Sequence, residues 1–183
     1  MLDAARRLIE ERGDANVTLE DVAREAGITR QTVYAHMSSR AGLLLALVEH
    51  IDDGNRLAAR VANALEAPTG FEAIERYVAM VAEMTPQILG VATALSRLRA
   101  VDPDAAGAWD DRMAARMRTC SLLVERLADE GVLRPEWTVE TGTDLLFAAV
   151  SIPMWEVLVG DRGWTPEQWS RRTARLVVGS LAR

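Results

Sequence analysis

The chain has 183 residues, enough for one compact domain or for a core with a small appended unit. Apolar residues make up 49% of it and aromatic residues only 5%, and alanine and leucine dominate, which favours helices over sheets. The only cysteine is Cys120 and the only histidines are His36 and His50, so the sequence excludes an intramolecular disulfide and disfavours a zinc site. We therefore expect no metal and no cofactor.

The net charge is −6, which at first argues against a nucleic-acid partner. The segment from Ala26 to Ala46, however, contains Arg30 and Arg40 and no acidic residue. A local basic window on an acidic body is compatible with DNA binding, above all in a symmetric oligomer that presents it twice. We find no uncharged apolar run long enough to cross a bilayer and no leader pattern, so we expect a cytoplasmic protein without membrane contact.

Three short helices are predicted in the first 40 residues. An apolar stripe at helical spacing forms the first, which Gly13 closes. Thr18 and Asp21 stand in capping-box spacing at the start of the second, and Gly27 ends it because glycine adopts a left-handed backbone without strain. Thr29 then caps a third, very short helix.

Ser38 or Ser39 caps a long fourth helix, which Pro68 ends after about residue 67. Gly54 in its middle is either a tolerated surface glycine or a weak point where the helix bends. Capping residues predict the later helix starts, at Thr69–Glu72, Thr85–Pro86, Asp102–Pro103, Thr138 and Thr165–Gln168.

The helix that begins at Thr138 is almost wholly apolar and is predicted to reach Gly160. Because it is apolar all round, we expect it to be buried on more than one side. Pro153 inside it would free a carbonyl near Ala149 and kink the helix. With about nine helices, no strand signal and no repeat, the sequence predicts an all-α fold.

The segment from Val17 to Arg40 joins two short helices by a three- or four-residue turn, which is typical of a helix-turn-helix. The second helix of such a pair enters the major groove of DNA. Arg30 can donate two hydrogen bonds to guanine, Gln31 can pair with adenine, and the methyl group of Thr32 or Ala35 can touch that of thymine.

Other polar residues of this segment suit phosphate contacts. Tyr34, His36 and Thr18 belong to this group, as does Arg40 at the start of the fourth helix. Thr29, which caps the reading helix, lies beside them. The pattern alone is also compatible with a short polar helix on the surface of an ordinary helical protein.

The run VTLEDVAREAGITRQTVYAHMSSRAGLLLALVE resembles the N-terminal domain of the TetR family of one-component transcriptional regulators. The matching positions are Thr18, Ala23, Ala26, Gly27, Tyr34, His36, Leu43 and Leu44. The chain departs from the family pattern at Gln31, Met37 and Arg40, where the family usually has Gly or Pro, Phe and Lys. Glu20 also places an acid near the DNA backbone, where it does not help binding.

This resemblance implies a three-helix DNA-binding domain over residues 1–47, linked by the long fourth helix to a helical effector-binding and dimerisation domain over residues 48–183. It implies a homodimer that binds double-stranded DNA at an inverted-repeat operator. It also implies a repressor that leaves the operator when an unknown small molecule, largely apolar, binds the C-terminal domain.

Two sets of residues are candidates for these roles. Met and Trp make adaptable apolar linings, and the ligand-binding candidates are Tyr77, Met80, Met84, Trp109, Met113, Met117, Phe147, Met154 and Trp155. The same stripes are equally compatible with plain core. The dimer-interface candidates from the last two helices are Ile152, Val159, Trp169, Thr173, Leu176, Val177 and Ser180.

Two other functions compete with DNA binding. We find no catalytic grouping of side chains, no phosphate-binding glycine loop and no set of metal ligands in the sequence, so we do not expect an enzyme. The acidic net charge and Glu20 leave open a helical protein-interaction adaptor that has lost DNA binding. A salt-dependent affinity for duplex DNA would separate the adaptor from the regulator, because phosphate contacts release counterions.

Overall fold

The computed structural model describes residues 1–12, 17–54 and 56–183, except for the side chains of residues 104 and 108. The described residues form ten α-helices and no β-strand, which confirms the all-α prediction. Gly13, predicted to close the first helix, lies outside them. The helices are α1 (Leu2–Arg12), α2 (Leu19–Ala26), α3 (Arg30–His36), α4 (Arg40–Gly54), α5 (Leu57–Leu65), α6 (Gly70–Leu98), α7 (Pro103–Asp129), α8 (Val139–Ala149), α9 (Ile152–Trp155, continued by a π-helical turn, Glu156–Asp161) and α10 (Pro166–Leu181).

Capping residues begin and end several helices where the sequence predicted them. The Thr18 hydroxyl accepts the Asp21 N–H at 3.1 Å and the Asp21 carboxylate accepts the Thr18 N–H at 3.1 Å, which completes the capping box of α2. Gly27 ends α2 with a φ of 65°. Thr138 and Thr165 open α8 and α10 with capping boxes of the same kind.

The prediction of one long fourth helix is wrong. Ser39 does cap its start, accepting the Gly42 N–H at 3.0 Å, but α4 ends at Gly54. Arg56 has a φ of 52° and a ψ of 45°, so its backbone is left-handed and a right-handed helix cannot pass through it. A separate helix, α5, begins at Leu57. Gly54, interpreted from the sequence as either a tolerated surface glycine or a point where the helix bends, is thus the last residue of α4.

The prediction of a helix start at Thr85–Pro86 is also wrong, because α6 continues through Pro86 to Leu98. The Thr85 hydroxyl donates to the Val81 carbonyl at 2.7 Å within the same helix instead of capping a new one. Proline leaves the Ala82 carbonyl without its usual intrahelical donor. Ala82, Met84 and Thr85 beside it are buried, and this packing outweighs the missing bond.

The apolar segment after Thr138 is two helices instead of one. Its first part, α8, ends at Ala149, and the next helical segment is inclined to it by 47°. The Ser151 hydroxyl caps α9 by accepting the Met154 N–H at 3.4 Å. Pro153 lies in the first turn of α9, where its missing N–H is harmless, so the predicted mid-helix kink does not occur.

Among the residues that the structure describes, one helix, α6, is long and apolar enough to cross a membrane. The pair formed by α8 and the segment after it passes the same test if its bend is disregarded. Half of the apolar window of α6 is buried within the chain, as in the core helix of a globular protein.

The chain divides into two compact units. Unit 1 comprises Met1–Asn55 and Gln87–Arg112, and unit 2 comprises Arg56–Pro86 and Met113–Arg183. The predicted functional division after residue 47 stays a prediction.

Each unit has its own apolar core. In unit 1, Ile9, Val22 and Leu47 are fully buried and pack together with Val33, the inward residue of α3. Burial of each such side chain stabilises the fold by about 1.5–3 kcal/mol. This packing fixes the orientation of α3 although the helix has only seven residues.

In unit 2, Trp169 is fully buried and its ring meets that of Trp155 edge to face, with ring centroids 5.1 Å apart. Leu123, Leu127 and Leu146 are also fully buried. The aromatic pair therefore forms part of the interior of unit 2.

Candidate nucleic-acid interface

The turn between α2 and α3 is held by backbone and hydroxyl hydrogen bonds. Gly27 takes the left-handed conformation, which lets the Ile28 N–H donate to the Ala23 carbonyl at 3.0 Å. The Thr29 hydroxyl accepts the Thr32 N–H at 3.1 Å and so caps α3. The short turn thus fixes the start of α3 relative to α2.

All of α3 except its buried Val33 faces solvent. Tyr34, a large side chain, is 56% exposed. Burying an aromatic ring would stabilise the fold, but the ring of Tyr34 is exposed. This side chain is therefore available for contact with another molecule. The predicted reading residues are all on this exposed surface: Arg30, Gln31, Thr32, Tyr34, Ala35 and His36.

Arg30 lies beside an acidic residue of the preceding helix. Its guanidinium donates to the carboxylate of Glu20, and the two side chains are 61% and 53% exposed. The sequence predicted Glu20 near the DNA backbone, and its pairing with Arg30 was not predicted. The structure pairs this acid with the residue predicted to read guanine.

The phosphate-contact candidates differ in their exposure and in the hydrogen bonds that they already make within the fold. Thr18 is exposed, but its hydroxyl donates to Asp21 at 2.8 Å and also accepts the Asp21 N–H, so the fold already uses it. Arg40 is half-buried in the first turn of α4. Hydrogen bonds from Arg12 and then from Thr18 hold the pKa of the Asp21 carboxyl well below its usual range. Asp21 therefore stays ionised as part of the scaffold.

The structure does not place all the ligand-binding candidates in one unit. Trp109 belongs to unit 1, where the Arg99 guanidinium lies 5.0 Å from its ring centroid. The other eight candidates belong to unit 2. Of these, Tyr77, Met80, Met84 and Trp155 are buried, and Met113, Met117, Phe147 and Met154 are half-buried.

Tyr77 and Cys120 form a small polar contact inside unit 2. The Cys120 thiol lies 3.9 Å from the Tyr77 hydroxyl and is fully buried. Burial raises the pKa of the Tyr77 hydroxyl, and it raises that of the Cys120 thiol to about 11. Cys120 therefore remains a neutral thiol in the core at neutral pH.

A cleft of about 330 Å³ lies in unit 2 between α5 and α6. Only Met80 of the predicted ligand set lines it. The other lining residues were not predicted from the sequence, although Arg56 and Arg60 are four residues apart, a spacing that brings charged side chains close together in a helix. The lining residues are Arg56, Ala59, Arg60, Asn63, Ala64, Arg76, Ala79, Met80 and Glu83.

The dimer candidates separate into two groups by burial. Trp169, Thr173 and Val177 are at most 2% exposed within the single chain, so they have little surface to offer to a partner. Leu176 is 51% exposed. The half-buried candidates are Ile152, Val159 and Ser180. The side chains available for a dimer interface therefore belong to the second group.

The described residues hold no cluster of three or more His, Cys, Asp or Glu side chains that could bind a metal ion. The candidate functional features of the described residues are thus an exposed polar helix on a helix-turn-helix scaffold in unit 1 and an arginine-lined cleft in unit 2.

The family model of the TetR family of bacterial regulatory proteins matches residues 1–47, which contain α1 to α3 and the start of α4. Residues 1–47 are thus similar to the DNA-binding domain of the TetR family. The transcriptional regulator AlkX of Mycobacterium tuberculosis is 43% identical over 70 residues, which are 38% of this chain and 32% of AlkX. The match thus spans about a third of the length of that curated relative.

Two solved structures resemble the whole chain. A transcriptional regulator from Saccharomonospora viridis in complex with choline has a TM-score of 0.80 and 20% identity, over 100% of this chain and 95% of that one. The regulator FadR from Bacillus subtilis in complex with stearoyl-CoA has a TM-score of 0.78 and 15% identity, over 98% of this chain and 96% of that one. At these identities the comparison establishes a shared fold.

Proposed function

We propose that this chain is a sequence-specific DNA-binding transcriptional regulator of the TetR family. In this proposal it is a repressor in the bacterial cytoplasm that leaves an inverted-repeat operator when a small molecule binds unit 2. The observation that carries the proposal is α3, an exposed polar helix whose orientation is fixed by buried Val33 and by the α2–α3 turn.

The dimensions and chemistry of α3 suit the major groove. An α-helix with its side chains is about 10–12 Å in diameter, and the major groove is about 12 Å wide. Arg30 and Gln31 supply the donor and acceptor groups that distinguish guanine and adenine. Arg40, at the start of α4, is positioned for a phosphate contact that carries no base information.

A homodimer would present two such helices to one face of the duplex. Half-sites one helical turn apart require the two α3 helices to lie about 34 Å apart. Exposed apolar side chains of the C-terminal helices, including Leu176 and Val157, supply surface for the subunit contact. An inverted repeat in the operator is the DNA counterpart of this two-fold symmetry.

Effector control follows from linkage. A ligand that binds only the conformation with the wrong α3 spacing lowers DNA affinity by its differential binding energy, typically about 1–3 kcal/mol. The choline and stearoyl-CoA complexes of the two structural neighbours support a ligand site in a helical domain of this fold.

The test is selection of randomised duplex DNA by the purified protein at two salt concentrations. We expect an enriched inverted repeat and an affinity that falls steeply as salt rises, because phosphate contacts release counterions. No enrichment together with no binding at low salt would refute DNA binding and leave the protein-interaction adaptor as the better description.

Two substitutions separate base reading from phosphate contact. We expect Arg30→Ala to relax base preference at one operator position, with a loss of about 1–3 kcal/mol on the preferred sequence. Arg40→Ala should weaken binding to all sequences and reduce the salt slope. The same loss for both variants on every DNA would contradict these two roles.

A further inference from the structure

The cleft between α5 and α6 has an apolar floor. Ala64 and Met80 at its base are 2% and 6% exposed, so their surfaces belong to the packed interior. Ala59 and Ala79 also line it, and their short side chains leave the cleft open. An apolar group entering here would leave water and contact hydrocarbon on the floor.

The rim of the cleft is cationic. Arg56, Arg60 and Arg76 line it against one acidic residue, Glu83. This is an excess of positive charge on a chain whose net charge is −6, so the cleft differs in sign from the protein as a whole.

The ion pairs that two of these arginines already make are weak enough for a bound anion to replace. Arg60 is paired with Glu83, and that carboxylate is 66% exposed. Arg76 donates to the Asn63 carbonyl at 3.3 Å, which holds it across the cleft from α6 to α5, and its ion pair with Glu72 is long, at 3.6 Å. Exposed ion pairs of this kind contribute about 0–1 kcal/mol, so a bound anion can compete with them.

The side chain of Arg56, the third arginine, makes no hydrogen bond or ion pair to the part of the chain that the structure describes, although its backbone carbonyl accepts the Arg60 N–H at 3.0 Å. It immediately precedes α5. Its guanidinium is therefore available to a ligand without breaking a contact.

A small amphipathic carboxylate matches both parts of the cleft. A guanidinium donates two parallel hydrogen bonds to a carboxylate, a geometry that alcohols and amines cannot reproduce. The floor accepts an alkyl or aryl group. A volume of about 330 Å³ lies at the lower end of the range for small-molecule sites, which favours a small ligand.

We infer that the α5–α6 cleft binds a small amphipathic carboxylate, held by Arg56, Arg60 and Arg76 over the apolar floor. This cleft differs from the ligand set that the sequence predicted, which shares only Met80 with it. Binding itself is independent of DNA. Its role as the effector signal rests on the proposed function.

The first experiment measures binding by isothermal titration calorimetry with the full chain and a series of probes. Affinity should rise from butyrate to octanoate by at most about fourfold per methylene group that reaches the floor. Octan-1-ol and inorganic phosphate should bind more weakly than octanoate, because octan-1-ol lacks the carboxylate and phosphate lacks the alkyl chain. Choline should not bind, since its cation would meet three arginines.

Substitutions then place the site. Arg76→Gln should weaken octanoate binding by about tenfold or more, because a charge-assisted hydrogen-bonded pair is lost. Ala59→Glu puts an acid in the cleft at an exposed helix position, so the fold tolerates it and octanoate binding should be lost. Arg118→Gln is the matched control, since Arg118 is exposed on α7 and does not line the cleft.

Failure to bind octanoate with a Kd below about 1 mM would overturn the site, as would an unchanged affinity in Arg76→Gln or an equal loss in Arg118→Gln. Phosphate binding as tight as octanoate would overturn the role of the floor. The effector role is tested separately, by adding octanoate to the complex with the selected operator. Octanoate binding without release of that operator would overturn the effector role and retain the site, whereas failure of the free protein to bind any DNA would overturn the proposed function alone.

Discussion

The pairing of Arg30 with Glu20 predicts that an acid of α2 limits DNA affinity. When Arg30 turns to a guanine, it must leave the Glu20 carboxylate, and that acid then lies near the phosphates. We therefore expect Glu20→Gln to tighten DNA binding. The glutamine keeps the size of the side chain and removes its charge.

The exposure of the pair sets the size of this effect. With side chains 61% and 53% exposed, the pair lies in the class of surface ion pairs that contribute about 0.2–1 kcal/mol. Release of Arg30 then raises affinity by about 1.4- to 5-fold per subunit, and the free energies of the two subunits of a dimer add.

The assay is fluorescence anisotropy with the selected operator at fixed salt. Glu25→Gln is the matched control, because Glu25 lies on the same helix, is exposed and pairs with Arg7 at 3.3 Å, away from α3. In an Arg30→Ala background the effect of Glu20→Gln should shrink to the part due to phosphate repulsion alone.

Two results would refute this reasoning. Equal increases for Glu20→Gln and Glu25→Gln would show that only the overall charge matters. An undiminished effect of Glu20→Gln in the Arg30→Ala background would show that the two side chains do not compete. Either result would leave the proposed DNA binding intact.

Two predictions concern the stability of the fold. A methyl group at Gly142 would lie 2.9 Å from Cγ1 of the fully buried, stiff Val124, so in urea unfolding Gly142→Ala should be less stable than Gly107→Ala by about 1–3 kcal/mol. At Gly107 on α7 a methyl group meets open space and should stabilise by about 1 kcal/mol, and equal gains in both variants would contradict the tight packing. Asp21→Asn should lower stability at neutral pH, because the pKa of Asp21 is held below its usual 3.8 by hydrogen bonds from Arg12 and then from Thr18. Because the pKa of Asp21 is lower in the folded than in the unfolded state, its contribution to stability is present above the unfolded pKa and is lost as the pH falls from there through the folded pKa. The difference in unfolding free energy between wild type and variant should therefore begin to narrow at about pH 4 and keep narrowing as the pH falls further. A difference that stays constant on acidification would refute the link.

Contacts between near neighbours made much of this fold predictable. The capping box of Thr18 and Asp21 and the left-handed Gly27 depend on groups within three or four residues, and the structure has them where the sequence placed them. The helix-turn-helix is readable for the same reason, since its turn and caps are local. The exposure of α3 follows from having a single inward residue, Val33.

Helix boundaries that depend on distant packing were not predictable. Thr85 and Pro86 look like a helix start, but burial of the surrounding side chains keeps α6 continuous. The reverse holds at Arg56, whose left-handed backbone separates two helices that periodicity joined. Helix propensity and capping contribute only about 1 kcal/mol each. Tertiary packing contributes more and therefore decides where a helix begins or ends when local signals disagree with it.

The sequence by itself determined the all-α fold, the short polar helix α3 and its N-cap, because these rest on periodicity and on contacts a few residues apart. Only the tertiary structure decided which side chains meet across helices. It paired Glu20 with Arg30, brought Arg76 of α6 to the arginines at the start of α5, and buried Trp169 inside the chain. Such meetings depend on how helices far apart in sequence pack, and a one-dimensional pattern does not contain that information.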